Sequence, residues 1–204
     1  MTRTLCLSCD LKYSHIYRRK HAKFQTTMII RSETDLDIQV ITEVTIAAFE
    51  NVEVSNHTEQ FIIEALRAAK VLTISLVAEM DKRVVGHIAF SPVIISDGSQ
   101  DWYGVGPFSV LPEYQRQGIG TALMKHGLSM LRERKAQGCC LVGYPDYYKR
   151  FGFQSIPRLT YEGVPQEVFL ALPLHSKIPQ GFVIFHEGFT SMGEQGVSDN
   201  NTIE

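Results

Sequence analysis

Phe108-Ser109-Val110-Leu111-Pro112-Glu113-Tyr114-Gln115-Arg116-Gln117-Gly118-Ile119-Gly120-Thr121 is the stretch on which the reading of this chain turns. A strand-like run, Trp102–Val110, ends at Pro112, and a short loop carries two glycines into a long amphipathic segment. The first turn of a helix exposes unpaired N–H groups at the positive end of its dipole. Glycines let an anion approach that backbone closely, so the segment suits a phosphate without a lysine. Other phosphate patterns fail: there is no Gly-x-x-x-x-Gly-Lys-[Ser/Thr], and Gly104-x-Gly106 lacks the third glycine of a dinucleotide loop. Taken alone, Gly-x-Gly at a helix start fits capping and close packing equally well.

Working outward, the long segment reads as a helix from about Gly118 to Ala136, with Lys125, Arg132 and Ala136 along one side. Upstream, Met28-Ile29-Ile30-Arg31 reads as a first strand, and Thr34-Asp35-Leu36-Asp37 as a capping-box-like helix start. Ile38, Ile41, Val44, Thr45 and Ala48 recur at helical spacing. A second helix from about Thr58 places Ile62, Ala65, Leu66 and Ala69 on one face. Residues 73–79 and 84–95, joined by Met80-Asp81-Lys82-Arg83, look like a hairpin. Downstream come a short strand at Leu141-Val142, a short helix over 146–151, and strands over 168–172 and 182–185. Cys139-Cys140 lies in the apolar run, where buried reduced thiols are expected.

Composition sets the class. The chain has 204 residues, 44% hydrophobic and 21% charged, with 20 basic against 22 acidic side chains. That suits a globular domain able to bury a core without metal or disulfide staples. A net charge of −2 disfavours a nucleic-acid partner. No apolar run approaches the roughly 18 residues of a membrane span, so a cytoplasmic protein is expected. The charge is uneven: residues 1–27 carry six basic residues and Asp10, a balance of +5, leaving −7 for 28–204. The head is therefore expected to be a poorly ordered upstream extension, with a transit peptide as the alternative. Its Cys6-x-x-Cys9 precedes His15 by only five residues and no amphipathic helix carries His15 or His21, so no metal site is expected. Residues 28–192 form the expected functional domain and 193–204 a disordered polar tail.

The whole string is more specific than its glycines. Gln115-Arg116-Gln117-Gly118-Ile119-Gly120 resembles the [Gln/Arg]-x-x-Gly-x-[Gly/Ala] motif of the GNAT acetyltransferase superfamily. Some thirty residues on, Asp146-Tyr147-Tyr148-Lys149-Arg150-Phe151-Gly152-Phe153 resembles that family's aromatic-Tyr-x-x-x-Gly-Phe landmark. Gly143-Tyr144-Pro145-Asp146-Tyr147-Tyr148 is most similar to the bacterial YhbS-like N-acetyltransferases. The resemblance covers roughly residues 28–174. It implies an α/β fold with a mixed, mostly antiparallel central sheet of about six or seven strands, splayed between the fourth and fifth and flanked by about four helices.

The resemblance also implies the site. Acetyl-CoA would be the co-substrate, with no metal, and an amine on a small molecule or protein the acceptor; a homodimer stays open. Phe108, Ser109 and Val110 would run along the pantetheine arm, with the Val110 N–H facing the thioester carbonyl. Backbone over Gln115, Arg116, Gln117, Gly118, Ile119, Gly120 and Thr121 would cradle the pyrophosphate. Tyr148 matches the tyrosine that assists the departing thiolate, and Tyr147 is expected to pack. Many relatives carry a glutamate on the strand before the loop, but Tyr103-Gly104-Val105-Gly106-Pro107 has no acid. His87 reads as a hydrogen-bonded structural histidine, and Glu50, Glu53 and His57 as solvated loop residues. A water-mediated route for the acceptor's proton is therefore expected. Acyl transfer from a longer acyl-CoA or an acyl-carrier protein, and a non-catalytic acyl-CoA-sensing role, stay open as alternatives. Deleting residues 1–27 should leave folding and CoA binding unchanged; stoichiometric zinc in the intact chain, or an insoluble truncated one, would overturn that expectation.

Overall fold

A computed structural model describes residues 27–193; the basic head expected over 1–27, with its Cys6-x-x-Cys9, and the polar tail expected over 193–204 lie outside the described residues except for Thr27 and Gly193. Six strands build the main sheet: β1 (Met28–Ser32), β2 (Ile74–Met80), β3 (Arg83–Pro92), β5 (Trp102–Val110), β6 (Gly138–Val142) and β8 (Phe169–Pro173), in the spatial order β1-β2-β3-β5-β6-β8. Every neighbouring pair is antiparallel except β5 and β6. Four α-helices accompany it: α1 (Ile38–Phe49), α2 (Glu59–Ala68), α3 (Ile119–Glu133) and the short α4 (Pro145–Tyr148). This is the mixed α/β architecture expected from the sequence.

The hairpin turn is as read: Asp81 and Lys82 both adopt positive φ, which matches the twist of the strands they join. The run over 84–95 is two strands rather than one. Ile94–Ile95 (β4) leaves the main sheet and pairs with β9 (Gly181–Ile184), which also pairs with β7 (Leu159–Thr160), making a small second sheet. β9 answers to the strand expected over 182–185, but the two-residue β4 and β7 give no period-2 signal, which is why the sheet they complete is not legible from the sequence.

The long helix is shorter than its apolar pattern suggests. It begins after Gly118, whose φ of 87° suits glycine at the cap, and ends in a turn with Lys135 at positive φ. There the Ala136 N–H donates to the Leu131 carbonyl and the Lys135 N–H to that of Arg132, the paired bonds that close a helix C-terminus. Ala136 is consequently core, not polar face. On α2 the buried residues are Ile63 and Leu66, whereas Ala69 is exposed, so the inward face is rotated by about one residue from the expected one.

Polar contacts set the helices on the sheet. Asp37 accepts a two-pronged pair from Arg31 at 2.7 and 2.9 Å and a bond from the Thr34 N–H at 2.8 Å, fixing the entry to α1. At the far end of α2, Arg67 donates to both oxygens of Glu33 at 3.1 and 3.0 Å. Glu33 also accepts from the Ser75 hydroxyl at 2.6 Å, and Ser75 lies 2.8 Å from Nε2 of His87. Since Ser75 spends its one proton on Glu33, His87 must be the donor through Nε2. His87 is thus the hydrogen-bonded structural histidine expected, fully buried.

Burial pushes the His87 ring down to about 4, with Glu33 opposing and Arg67 reinforcing that shift. A group depressed on folding stabilises fully above its unfolded value near 6.5 and loses that contribution as pH falls toward the folded value. Urea unfolding should show about 2 kcal/mol less stability at pH 5 than at pH 7.5 from this residue. In His87→Gln that difference should disappear; an unchanged pH dependence would show that another group carries it.

Candidate active site

The loop after β5 is tied to itself by two glutamine side chains. Gln115 Nε2 donates to the Val110 carbonyl at 3.1 Å, and Gln117 Nε2 to that of Glu113 at 2.9 Å. Arg116 and Gly118 both adopt positive φ, turning the backbone sharply into α3. The first bond of that helix runs from the Ala122 N–H to the Gly118 carbonyl at 2.9 Å, so the amides of Ile119, Gly120 and Thr121 precede the ladder. Gly118, Gly120 and Thr121, at this helix start, line a cavity of about 660 Å³.

Of the residues singled out by sequence, Phe108, Ser109, Val110, Gln115, Arg116, Gly118, Gly120 and Thr121 line this cavity. Gln117 and Ile119 do not: Gln117 braces the loop, and the Ile119 side chain is buried in the core. The Ser109 side chain is likewise turned inward, 3.3 Å from the Thr45 hydroxyl, so only its backbone belongs to the cavity wall.

The strand edge beside the loop is open. β5 and β6 pair only at Trp102–Gly138, Tyr103–Cys139 and Gly104–Cys140, although β5 runs on to Val110 and β6 to Val142. The Leu111 N–H donates to the Val85 carbonyl at 2.9 Å, and backbone groups alternate sides along an antiparallel strand. Those of Phe108 and Val110 therefore face away from β3 and into the gap. The expected splay lies here; β4 shifts the count of strands by one.

A run of aromatic rings leads from β5 to α4 and beyond. Phe108 and Tyr147 have centroids 6.1 Å apart, Tyr147 and Tyr148 5.0 Å, and Tyr148 and Phe153 5.9 Å. Consecutive residues on a helix diverge by about 100°, so the two tyrosines face different spaces. Tyr147 lines the first cavity together with Arg150, whose guanidinium lies 4.7 Å from the Tyr147 ring centre. Tyr148 lines a second cavity of about 570 Å³. Burial pushes the Tyr148 hydroxyl well above the usual phenol range, with Tyr147 adding to it. It has no hydrogen-bond partner among the described residues.

The second cavity lies between the α1–α2 connection, the splayed ends of β5 and β6, and the aromatic residues of the segment after β6. Phe108 is common to the two cavities. Its wall is apolar and aromatic, with Glu59 as its one charged lining residue. Glu50, Glu53 and His57 are exposed and line neither cavity, as expected of solvated loop residues. Cys139 and Cys140 are free, fully buried thiols, and burial pushes both well above the usual thiol range. Among the described residues no cluster of three or more His, Cys, Asp or Glu is placed to hold a metal ion, and no helix is long and apolar enough to cross a membrane.

Residues 29–156 match the family model described as an acetyltransferase (GNAT) domain. The chain belongs to the GNAT acetyltransferase family. Over 128 residues it is 34% identical to the uncharacterized N-acetyltransferase YhbS of Escherichia coli (strain K12), covering 62% of this chain and 74% of YhbS. The fold is similar to a GNAT family acetyltransferase from Brucella melitensis solved in complex with acetyl-CoA. That likeness has TM-score 0.72 and 47% identity over 80% of this chain and 99% of the other. It is also similar to Escherichia coli YhbS solved in complex with CoA, with TM-score 0.77 and 29% identity over 85% of this chain and 97% of the other.

Within this GNAT domain, sequence reading misses three side chains. Tyr147, expected to pack, also reaches the first cavity; a Cβ on Gly120 would fall 2.6 Å from its hydroxyl. Arg150 stands one helical turn after Tyr147, a spacing visible in sequence only once the short helix is located. Glu59 reads as an ordinary first-turn helix acid, because nothing in its neighbours reveals that it faces a cavity.

Proposed function

We propose that residues 28–192 form an acetyl-CoA-dependent N-acetyltransferase that passes an acetyl group directly to an acceptor amine in a ternary complex. The observation that carries this reading is the pair of cavities meeting at Phe108, one bounded by a helix N-terminus and the other by Tyr148. The pyrophosphate of acetyl-CoA would take the free amides from Ile119 to Thr121, with Arg116 and Arg150 adding positive charge. Pantetheine would add to the open edge of β5 as an extra strand, using the backbone of Phe108 and Val110. The thioester then comes to the junction of the cavities, and the acceptor enters through the second.

In that arrangement the amine nitrogen attacks the thioester carbonyl and the C–S bond breaks as the tetrahedral species collapses. The Val110 N–H is the donor for the developing oxyanion. Tyr148 steadies the departing thiolate. An ordinary thiol sits near 8.5 and a phenol near 10, and burial raises Tyr148 further. Its proton is thus donated as a hydrogen bond that strengthens while charge grows on sulfur, and passes over after collapse. Direct transfer is favoured over a cysteine acyl-enzyme because Cys139 and Cys140 are buried and held as thiols. The same reading assigns the enzyme to the cytoplasm, where such thiols stay reduced.

Two substitutions separate binding from chemistry. A side chain at Gly120 would meet the Tyr147 hydroxyl at 2.6 Å and the Phe108 ring at 3.1 Å. Gly120→Val should therefore weaken acetyl-CoA binding at least tenfold, about 1.4 kcal/mol, with the circular dichroism spectrum unchanged. Calorimetry giving wild-type affinity would remove the phosphate cradle from the reading. Tyr148→Phe keeps the ring packed but removes the hydroxyl. It should lower kcat about 10²-fold with little change in acetyl-CoA affinity, whereas a near wild-type rate would return Tyr148 to a packing role.

A further inference from the structure

We infer that Glu59 is the acceptor-site carboxylate, and that the acceptor is a primary amine carried on an apolar or aromatic body. This rests on the proposed acetyl transfer and specifies its second substrate. Three buried side-chain polar atoms lack a partner among the described residues: Glu59 Oε2, His87 Nδ1 and Ser91 Oγ. Only Glu59 lines either of the two cavities. Its other oxygen, Oε1, accepts from the Ser55 hydroxyl, which in turn accepts from the His57 N–H at 2.8 Å. The α1–α2 connection thus holds the carboxylate in one orientation and leaves Oε2 free.

A first-turn acid is favoured by the helix dipole wherever it points. The dipole does not account for an oxygen withdrawn from water without a partner, which is costly unless something else supplies the hydrogen bonds. The surrounding wall narrows what that ligand is. Phe49, Ile62, Val105, Tyr161 and Phe185 offer apolar and aromatic surface, and no second acid lines the cavity to hold a polycation. One ammonium against Glu59 with a hydrophobic body beneath it satisfies both features. Sugars and polyamines would strand their polar groups there.

The position also resolves the acceptor's proton. An alkylammonium with pKa near 10 is a free amine only about one part in a thousand at pH 7. In the inferred sequence, Glu59 takes one proton from the ammonium and releases it to solvent. The freed amine forms the C–N bond, the C–S bond breaks, and the thiolate receives the second nitrogen-derived proton by way of Tyr148. The products are the amide, CoA thiol and one proton. This replaces the water-mediated route expected from sequence.

The test uses the full chain, acetyl-CoA and two amines, 2-phenylethylamine and spermidine, with release of CoA thiol as the readout. Wild type should favour 2-phenylethylamine in kcat/KM by at least tenfold. Glu59→Gln should lower kcat/KM for it at least a hundredfold and abolish its calorimetric binding to the CoA-loaded protein. Acetyl-CoA affinity should be unchanged in that variant, and Glu53→Gln, outside the cavity, should cost less than tenfold. Glu59→Gln within threefold of wild type, a preference for spermidine, or no binding of 2-phenylethylamine to the wild-type complex would each overturn the inference. Hexanoyl-CoA binding tenfold tighter than acetyl-CoA would overturn it too, by assigning the cavity to an acyl chain. In all these cases intact acetyl-CoA binding leaves the donor side standing; loss of acetyl-CoA binding by wild type would instead end the proposed function.

Discussion

Everything at the site depends on β5 and β6 ceasing to pair after Gly104 and Cys140. Each strand stays anchored on its outer side, β5 to β3 through Val110 and β6 to β8 along its whole length. The two therefore separate without either leaving the sheet. Backbone groups exposed in such a gap would ordinarily be a liability. Beside the gap a run of ring contacts leads from Phe108 on β5 through Tyr147 and Tyr148 to Phe153. Aromatic pairs at these separations contribute roughly 0.5–1.5 kcal/mol each beyond their burial. They pack α4 against β5 at Phe108, beyond the last residue that β5 pairs with β6.

The two glycines of the loop answer different demands. Gly118 has open space where a Cβ would stand, but its φ of 87° is one that other residues adopt only under strain. Gly120 has ordinary helical backbone, and what it needs is room, because Tyr147 and Phe108 occupy the place of its side chain. One residue shapes the turn and the other lets α4 approach α3. A loop that served capping alone would require only the first.

The legibility of this chain in its sequence follows element length and locality. β5, the loop and α3 are readable because a period-2 run, a Pro, two glycines and a period-3.6 run succeed one another without ambiguity. The second landmark is readable for the same reason, as a compact string. What stays hidden depends on contacts between distant segments. The strand Ile94–Ile95 is defined by Val183 and Ile184, nearly ninety residues away. Glu59 becomes part of a cavity wall only because residues from β5, β6 and the chain beyond Tyr161 converge on it. Tyr147 and Tyr148 are both visible, but which faces which cavity is set by the rotation of α4.

Comparing the carboxylates shows how the fold treats charge. Asp37 is held well below its ordinary value chiefly by the hydrogen bonds from Arg31, which oppose its burial. Burial alone would raise Glu33, yet bonds from Arg67 and Ser75 hold it below the usual carboxylate range. Both are structural: each is neutralised by an arginine, and each locks a helix to the sheet. Arg67 and Glu59 stand on the same helix, two turns apart. The ion pair at one end therefore fixes the position from which Glu59 emerges at the other. Glu59 alone of these three has no cation beside it among the described residues. A fold that supplies an arginine to two carboxylates and none to the third, among the described residues, leaves Glu59 open to the ammonium inferred for the acceptor.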